Sequence, residues 1–255
     1  MTSSVSIQAI TFDLWDTIVA DDSDEAHRTA RGLPSKHDAR RASVYEILAE
    51  HGPTIHGEVI DAYDGVEHAF RAAWHEKHVT WPVRLRLERV LDALDRSVPP
   101  SAFETMVTAH ASMEVDVPPD LIPGAAEVLE LLSATYPLAI ISDAIVSPGT
   151  SLRQLLAHHG VLKYFSACVF SDEVGRSKPH ASVFHAAADQ LDVGVANMIH
   201  VGDRERNDVV GAHGVGAQAV LFTATRSTDL EGTTADAVCE RYPDLPGIIA
   251  SLAGA

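Results

Sequence analysis

From residue 120 onward the chain alternates short apolar runs with stretches of helical period, and this alternation restricts it to few folds. Ala125–Ala134 reads as a helix opened by Pro123-Gly124, and Tyr136–Ser142 as an apolar strand. Ser151–His159 is a second helix, stopped by Gly160, and Ala167–Phe170 a short strand. A helix over Ala181–Leu191, a strand over Met198–Val201, a helix start at Val209–His213 and a strand over Ala217–Phe222 complete the series. Strands joined by helices through short connections make a parallel sheet covered on both faces, an α/β fold. The strand ending at Phe12 belongs to the same sheet, since alone it could not be buried.

Residues 20–118 carry no strand signal of comparable quality. Asp38–His51 places Val44, Ile47 and Leu48 at helical spacing, and Gly57–Val79 continues it with Val59, Ile60, Tyr63, Val66, Phe70 and Trp74. Leu85–Leu94 and Phe103–Met113 extend the pattern. This is a helical insertion after the first strand, with Val115–Asp120 as its return linker. The expected division is a core of 1–19 and 119–255 around an insertion of 20–118.

Bulk properties narrow the class. With 46% apolar residues in 255, there is material for a sizeable core. No apolar run approaches the ~20 residues of a membrane span, and Met1–Ser4 lacks the basic start of a secretory signal. Cys168 and Cys239 both lie in apolar segments, so a disulfide framework is not expected and a reducing cytoplasm is the simplest home. A formal charge of -17 argues against nucleic acid or an anionic membrane as partners. An anionic small-molecule substrate would need local cations or a metal.

Four strand ends carry chemistry. The first runs Gln8-Ala9-Ile10-Thr11-Phe12-Asp13-Leu14-Trp15-Asp16-Thr17 and delivers Asp13 to a C-terminal tip, where open α/β sheets bind ligands. The second ends in Ser142-Asp143, whose hydroxyl and amides could donate to an anion or simply start a turn. Lys178-Pro179 precedes the helix at Ala181; the lysine is either a surface charge or a partner for clustered carboxylates. Gly202-Asp203 and Asp208 follow the last of these strands. Asp203 with Asp13 would offer hard oxygen ligands suited to Mg²⁺, while Asn207 or Asp208 could also cap the next helix.

In joint order these motifs resemble the haloacid dehalogenase-like hydrolase superfamily, over residues 5–19 and about 120–224. The resemblance implies a Rossmann-like core, a mobile helical cap of C1 type, and a covalent intermediate on a nucleophilic aspartate. Asp13 would be that nucleophile, Ser142 and Lys178 would hold the transferring group, and Thr17 would fix the following loop. Asp203 would ligate Mg²⁺ directly, Asp208 would orient Lys178 or the metal waters, and the Trp15 carbonyl would supply the remaining protein ligand.

The departure is at Trp15, where phosphatases of this family have a second Asp that protonates the leaving group. General acid–base help contributes ~10²–10⁴-fold. Asp16 stands one residue later, where the family commonly has Gly, and is a candidate to take over the acid's role. Asp21, Asp22, Asp24, Glu25 and His27 follow and could approach when the cap closes, although the stretch reads as a solvated acidic linker. The reading favoured is a Mg²⁺-dependent phosphatase of a small phosphorylated metabolite. The alternatives are a dehalogenase, whose relatives have an aromatic residue at the Trp15 position, and a phosphonatase, which would need a cap lysine, Lys36 or Lys77. A binding protein on an inherited catalytic scaffold is the third. Of the 14 histidines, the pairs His158-His159 and His75/His78 lack metal-ligand partners, and His200 reads as a buried strand residue. Phe70, Trp74 and Trp81 read as the insertion's own core.

Overall fold

The structure is a computed structural model that describes residues 6–254; the Met1–Ser4 stretch and Val5, the first residue of the 5–19 segment, lie outside the described residues. Six strands form one sheet: β1 (Ala9–Phe12), β2 (Leu138–Ser142), β3 (Ala167–Phe170), β4 (Met198–Gly202), β5 (Gln218–Phe222) and β6 (Ala237–Cys239). Their order is β3-β2-β1-β4-β5-β6 and every pairing is parallel. The direction of strand addition reverses between β1 and β4, so the tips of these two central strands flank the topological switch point.

Alternation along β1 explains the two layers. Ile10 and Phe12 join one apolar cluster, and Ala9 the cluster on the opposite face. With β1, β2 and β4 buried along their length, the apolar runs seen in the sequence are those of a doubly covered parallel sheet.

Between β1 and the return of the chain at Asp120 lie α1 (Ser23–Ala30), α2 (Lys36–Glu50), α3 (His56–Lys77), α4 (Val83–Ala93), α5 (Pro100–Ala111) and the single turn α6 (Met113–Asp116). They build a separate core from Val44, Leu48, Val59, Leu87 and Met106, among others, which is why they form a cap rather than a layer on the sheet. The outgoing and returning chains pair: Ala20 N–H donates to Asp120 O (2.9 Å) and Ile122 N–H to Ile18 O (2.9 Å). The remaining helices cover the sheet: α7 (Ala125–Ser133), α8 (Gly149–His158), α9 (Ser171–Val174), α10 (Ala181–Leu191), α11 (Val210–His213) and α12 (Leu245–Leu252). Among the described residues no helix is long and apolar enough to cross a membrane.

Two expectations are corrected. The stretch read as a solvated acidic linker contains α1, and Asp24 within it is fully buried, 2.9 Å from Lys36 Nζ. A charge pattern does not distinguish a solvated acid from one whose cation arrives twelve residues later. The return linker also begins later than expected, because α6 continues the helix through Asp116.

Candidate active site

Asp13 follows β1 directly, and its N–H donates to Val201 O (2.9 Å), so the β1–β4 ladder holds the backbone that presents it. Asp203 follows β4, and Asp208 returns on the irregular helical turn Glu205–Val209. The carboxylates of Asp13, Asp203 and Asp208 offer oxygens all within 4.8 Å of one another, and all three residues are buried. Gly202 makes this return possible, since a Cβ there would overlap the Asp208 carboxyl.

Lys178, 3% exposed, bridges two of the three acids, with Nζ 2.6 Å from Asp13 Oδ1 and 2.6 Å from Asp208 Oδ1. The surface-lysine reading is thereby excluded. Burial opposes its charge, but Asp13, Asp208 and Asp143 hold the ammonium well above its usual range. Burial pushes the Asp13 carboxyl up, with Lys178 opposing and Asp208 adding to the rise. Burial also raises Asp203, reinforced by the charges of Asp208 and Asp13. Asp208 goes the other way: burial opposes ionisation, but Lys178 and His200 hold it well below the carboxylate range.

His200 is fully buried in β4, as expected, yet it belongs to the site. Its Nε2 lies 3.2 Å from Asp208 Oδ1 and its Nδ1 2.8 Å from Thr11 Oγ1, the residue opposite it on β1. Burial lowers its pKa, so the neutral ring donates from Nε2 to Asp208 and accepts from the Thr11 hydroxyl. Two polar side chains facing each other inside otherwise apolar strands were the available signal.

Ser142 ends β2 with its Oγ buried and, among the described residues, without a partner, a hydroxyl free to donate. Asp143 is more than the start of a turn. Its Oδ1 accepts from the Lys178 N–H (2.9 Å), and its Oδ2 lies 3.3 Å from Nε1 of Trp74 on the cap. Burial pushes its carboxyl up to about 6. Trp74 is thus turned toward the core rather than into the cap's own core. Phe70 is fully buried and packs on Trp81 (ring centroids 6.0 Å), but it too lines the cavity beside Asp13.

That cavity, about 610 Å³, lies between cap and core and is lined by Asp13, Trp15, Lys178 and Asp208 from below. Asp16 is not part of its wall. It adopts φ 55°, a left-handed conformation that Gly or Asp tolerates, and its Oδ1 accepts from the Asp21 N–H (3.2 Å). Thr17 is fully buried, and its carbonyl accepts from the Tyr242 hydroxyl (2.6 Å), fixing the loop after Asp13. Asp21 does line the cavity from an exposed position, and desolvation by the surrounding walls and the charge of Asp22 raise its carboxyl to about 6. Arg226, which no motif announced, places Nη1 3.4 Å from Asp203 Oδ2. Of the cap lysines, Lys36 is buried among Asp24 (2.9 Å), Asp22 (3.1 Å) and Glu114 (3.7 Å), which hold it as an ammonium.

A family profile described as haloacid dehalogenase-like hydrolase matches residues 7–216. The chain is 31% identical over 126 residues to ribulose-1,5-bisphosphate 5-phosphatase of Halopiger xanaduensis, covering 49% of this chain and 51% of that protein. It is 28% identical over 225 residues to a 5-amino-6-(5-phospho-D-ribitylamino)uracil phosphatase of Escherichia coli, covering 84% and 82%. The match to the first of these relatives thus spans about half its length. Among solved structures, a phosphatase from Thermococcus onnurineus superposes with TM-score 0.62 at 21% identity, covering 95% of this chain and 98% of that one. A 2-haloacid dehalogenase from Pseudomonas syringae does so with TM-score 0.63 at 21% identity, covering 96% and 99%. The two structures show the same fold, whatever the chemistry each carries.

Proposed function

Since this chain belongs to the haloacid dehalogenase-like hydrolase family, we propose that it is a Mg²⁺-dependent phosphatase that uses Asp13 to attack a small phosphorylated metabolite. The observation that carries the reading is the buried cluster of Asp13, Asp203 and Asp208 with Lys178 bridging two of them.

The residues fit a hard divalent cation: three buried carboxylates converge, and Asp203 Oδ1 has no hydrogen-bond partner among the described residues. Asp13, Asp203 and the Trp15 carbonyl would hold Mg²⁺, with Asp208 completing the site through Lys178 or a water. When bound, the ion neutralises charge on the transferring oxygens.

Asp13 Oδ attacks phosphorus, an Oδ–P bond forms and the ester P–O bond breaks. Lys178 balances charge on Asp13 and on the phosphoryl group, and Ser142 Oγ donates to a phosphoryl oxygen. Water then attacks phosphorus, the Oδ–P bond breaks and orthophosphate leaves. With Trp15 in place of an acid, leaving groups of low basicity are favoured. Asp16 holds the loop through Asp21, and for more basic leaving groups Asp21, on the cavity wall, is the candidate proton donor. The strand-like pairing of residues 18–20 with 120–122 supports a cap of 20–118 on a core of 1–19 and 119–255. Cys168 on β3 and Cys239 on β6 stand at opposite edges of the sheet as free thiols, which supports a reducing cytoplasmic location.

Carbon–halogen hydrolysis is the second reading, favoured by Trp15 on the cavity wall. The acidic pair Asp203 and Asp208 weighs against it. The phosphonatase reading is weakened because Schiff-base formation needs a neutral amine and Lys36 is held charged. A phosphate-release screen over phosphorylated metabolites, with and without Mg²⁺ and with Asp13→Asn as control, tests the proposal. Metal-independent halide release from 2-haloacids would overturn it, and ligand binding without turnover in either assay would favour the binding-protein reading.

A further inference from the structure

Under the cap the catalytic cavity adjoins a second hollow of about 270 Å³, and the two share His37, Arg40, Glu67, Arg71 and Val146 in their walls. Their charges differ. Carboxylates outnumber lysines and arginines around the catalytic cavity, whereas around the hollow Arg40, Arg41, Arg71 and Arg86 share the wall with two carboxylates, Asp64 and Glu67. This is a locally cationic lobe in a chain of formal charge -17.

Three of the four guanidiniums are already engaged. Arg40 Nη2 donates to Glu114 (2.8 Å), Arg41 pairs with Asp64, and Arg86 Nη1 contacts both Glu67 oxygens (2.9 and 3.0 Å). Arg71, on α3 at the junction of the two spaces, is exposed, and among the described residues no carboxylate lies within ion-pair distance of it. His110 in the wall of the hollow reports the local field. Burial pushes its pKa down to about 4, with Arg40 and Arg86 adding to the fall and the bond to Met106 O opposing it. At neutral pH His110 therefore adds no charge to the lobe, while the arginines stay ionised.

We propose that this hollow is a subsite for a second anionic group carried on the same molecule as the ester phosphate, with Arg71 as its ligand. The substrate class is then a phosphate monoester bearing a distal carboxylate or second phosphate. The inference rests on the phosphatase reading for its reaction but not for its binding. The acid-rich end, with Lys178 and a divalent cation, takes the transferring group. The arginine lobe takes the distal group and sets the molecule's direction in the cavity. Arginine suits this role because its planar donors match both oxyanions.

The test compares 3-phosphoglycerate with glycerol 3-phosphate, which differ in a carboxylate against a hydroxymethyl group. Steady-state kinetics are measured on wild type, Arg71→Ala and Arg71→Lys. Wild type is expected to favour the carboxylate ester in KM. Arg71→Ala should raise that KM roughly tenfold to hundredfold, the range of a charge-assisted hydrogen bond, with a much smaller change for the neutral ester and with Arg71→Lys recovering part of the loss. Calorimetric binding of both esters to Asp13→Asn in Mg²⁺, with and without Arg71→Ala, reads the subsite independently of turnover. Discrimination in binding without turnover would refute the phosphatase reading and retain the subsite. Turnover without discrimination, or equal losses on both esters, would refute the subsite. Stimulation of glycerol 3-phosphate turnover by added sulfate would show that the hollow takes a separate anion and would overturn the single-molecule claim.

Discussion

Lys178→Met should destabilise this protein in a manner that depends on pH. Nζ contacts Asp13 and Asp208 at 2.6 Å each, in a site where the lysine is 3% exposed. Two such pairs attract by about 13 kcal/mol together at an effective dielectric near 20, and desolvating the ammonium, with the repulsion between the two carboxylates, offsets most of that. Removing one partner of such a buried network then costs about 3–5 kcal/mol, or roughly 10 °C in Tm for a chain of this size. In the variant the orphaned carboxyls hold protons in the folded state at pH values where the unfolded chain is ionised. A raised folded pKa gives stability that is complete below the unfolded value, near 3.8 for Asp13, and is lost as pH rises through the folded one. The deficit relative to wild type should therefore be larger at pH 8 than at pH 5. Urea unfolding in EDTA at both values measures it. A deficit below about 1 kcal/mol, or one equal at both pH values, would refute the view that Lys178 neutralises the cluster.

His110 gives the opposite pH sign. Its folded pKa is lowered from 6.5 to about 4, so its contribution is fully present above 6.5 and lost as pH falls toward 4. The change is on the order of 3 kcal/mol, and His110→Phe should flatten that part of the pH–stability curve; an unchanged slope would contradict the assignment. In the cap, Asp24→Ala removes the fully buried partner of Lys36, leaving it the exposed Asp22 and the more distant Glu114, and should lower stability by about 1–3 kcal/mol. Chemical denaturation of Asp24→Leu/Lys36→Met should recover most of that loss, because both charges are then absent.

The parts of the site that were readable from residues alone share one property: each sits at the end of a buried strand. Asp13, Ser142 and Asp203 follow apolar runs whose burial on both faces is forced, so their placement at one sheet edge follows from topology. Lys178 follows no such run, and only its two partners, 165 and 30 residues away, fix it in the interior. Trp74 misled because the apolar face of a long helix can serve its own bundle or the neighbouring domain, and helical period does not separate the two. Asp24 misled because acids near a chain crossing look solvated until Lys36 is placed. The strand β6 has three residues at the sheet edge, too short for a periodic signal, and α12 follows it unannounced.

The central claim is that Asp13 becomes covalently phosphorylated. Acid-quenched reaction mixtures with a turned-over phosphate ester, reduced with borohydride and read by peptide mass spectrometry, test this directly, because an acyl phosphate is reduced to the alcohol. The account predicts homoserine at position 13 and nowhere else, in wild type with Mg²⁺ present. Turnover with an unmodified Asp13, or homoserine formed at another aspartate, would contradict it.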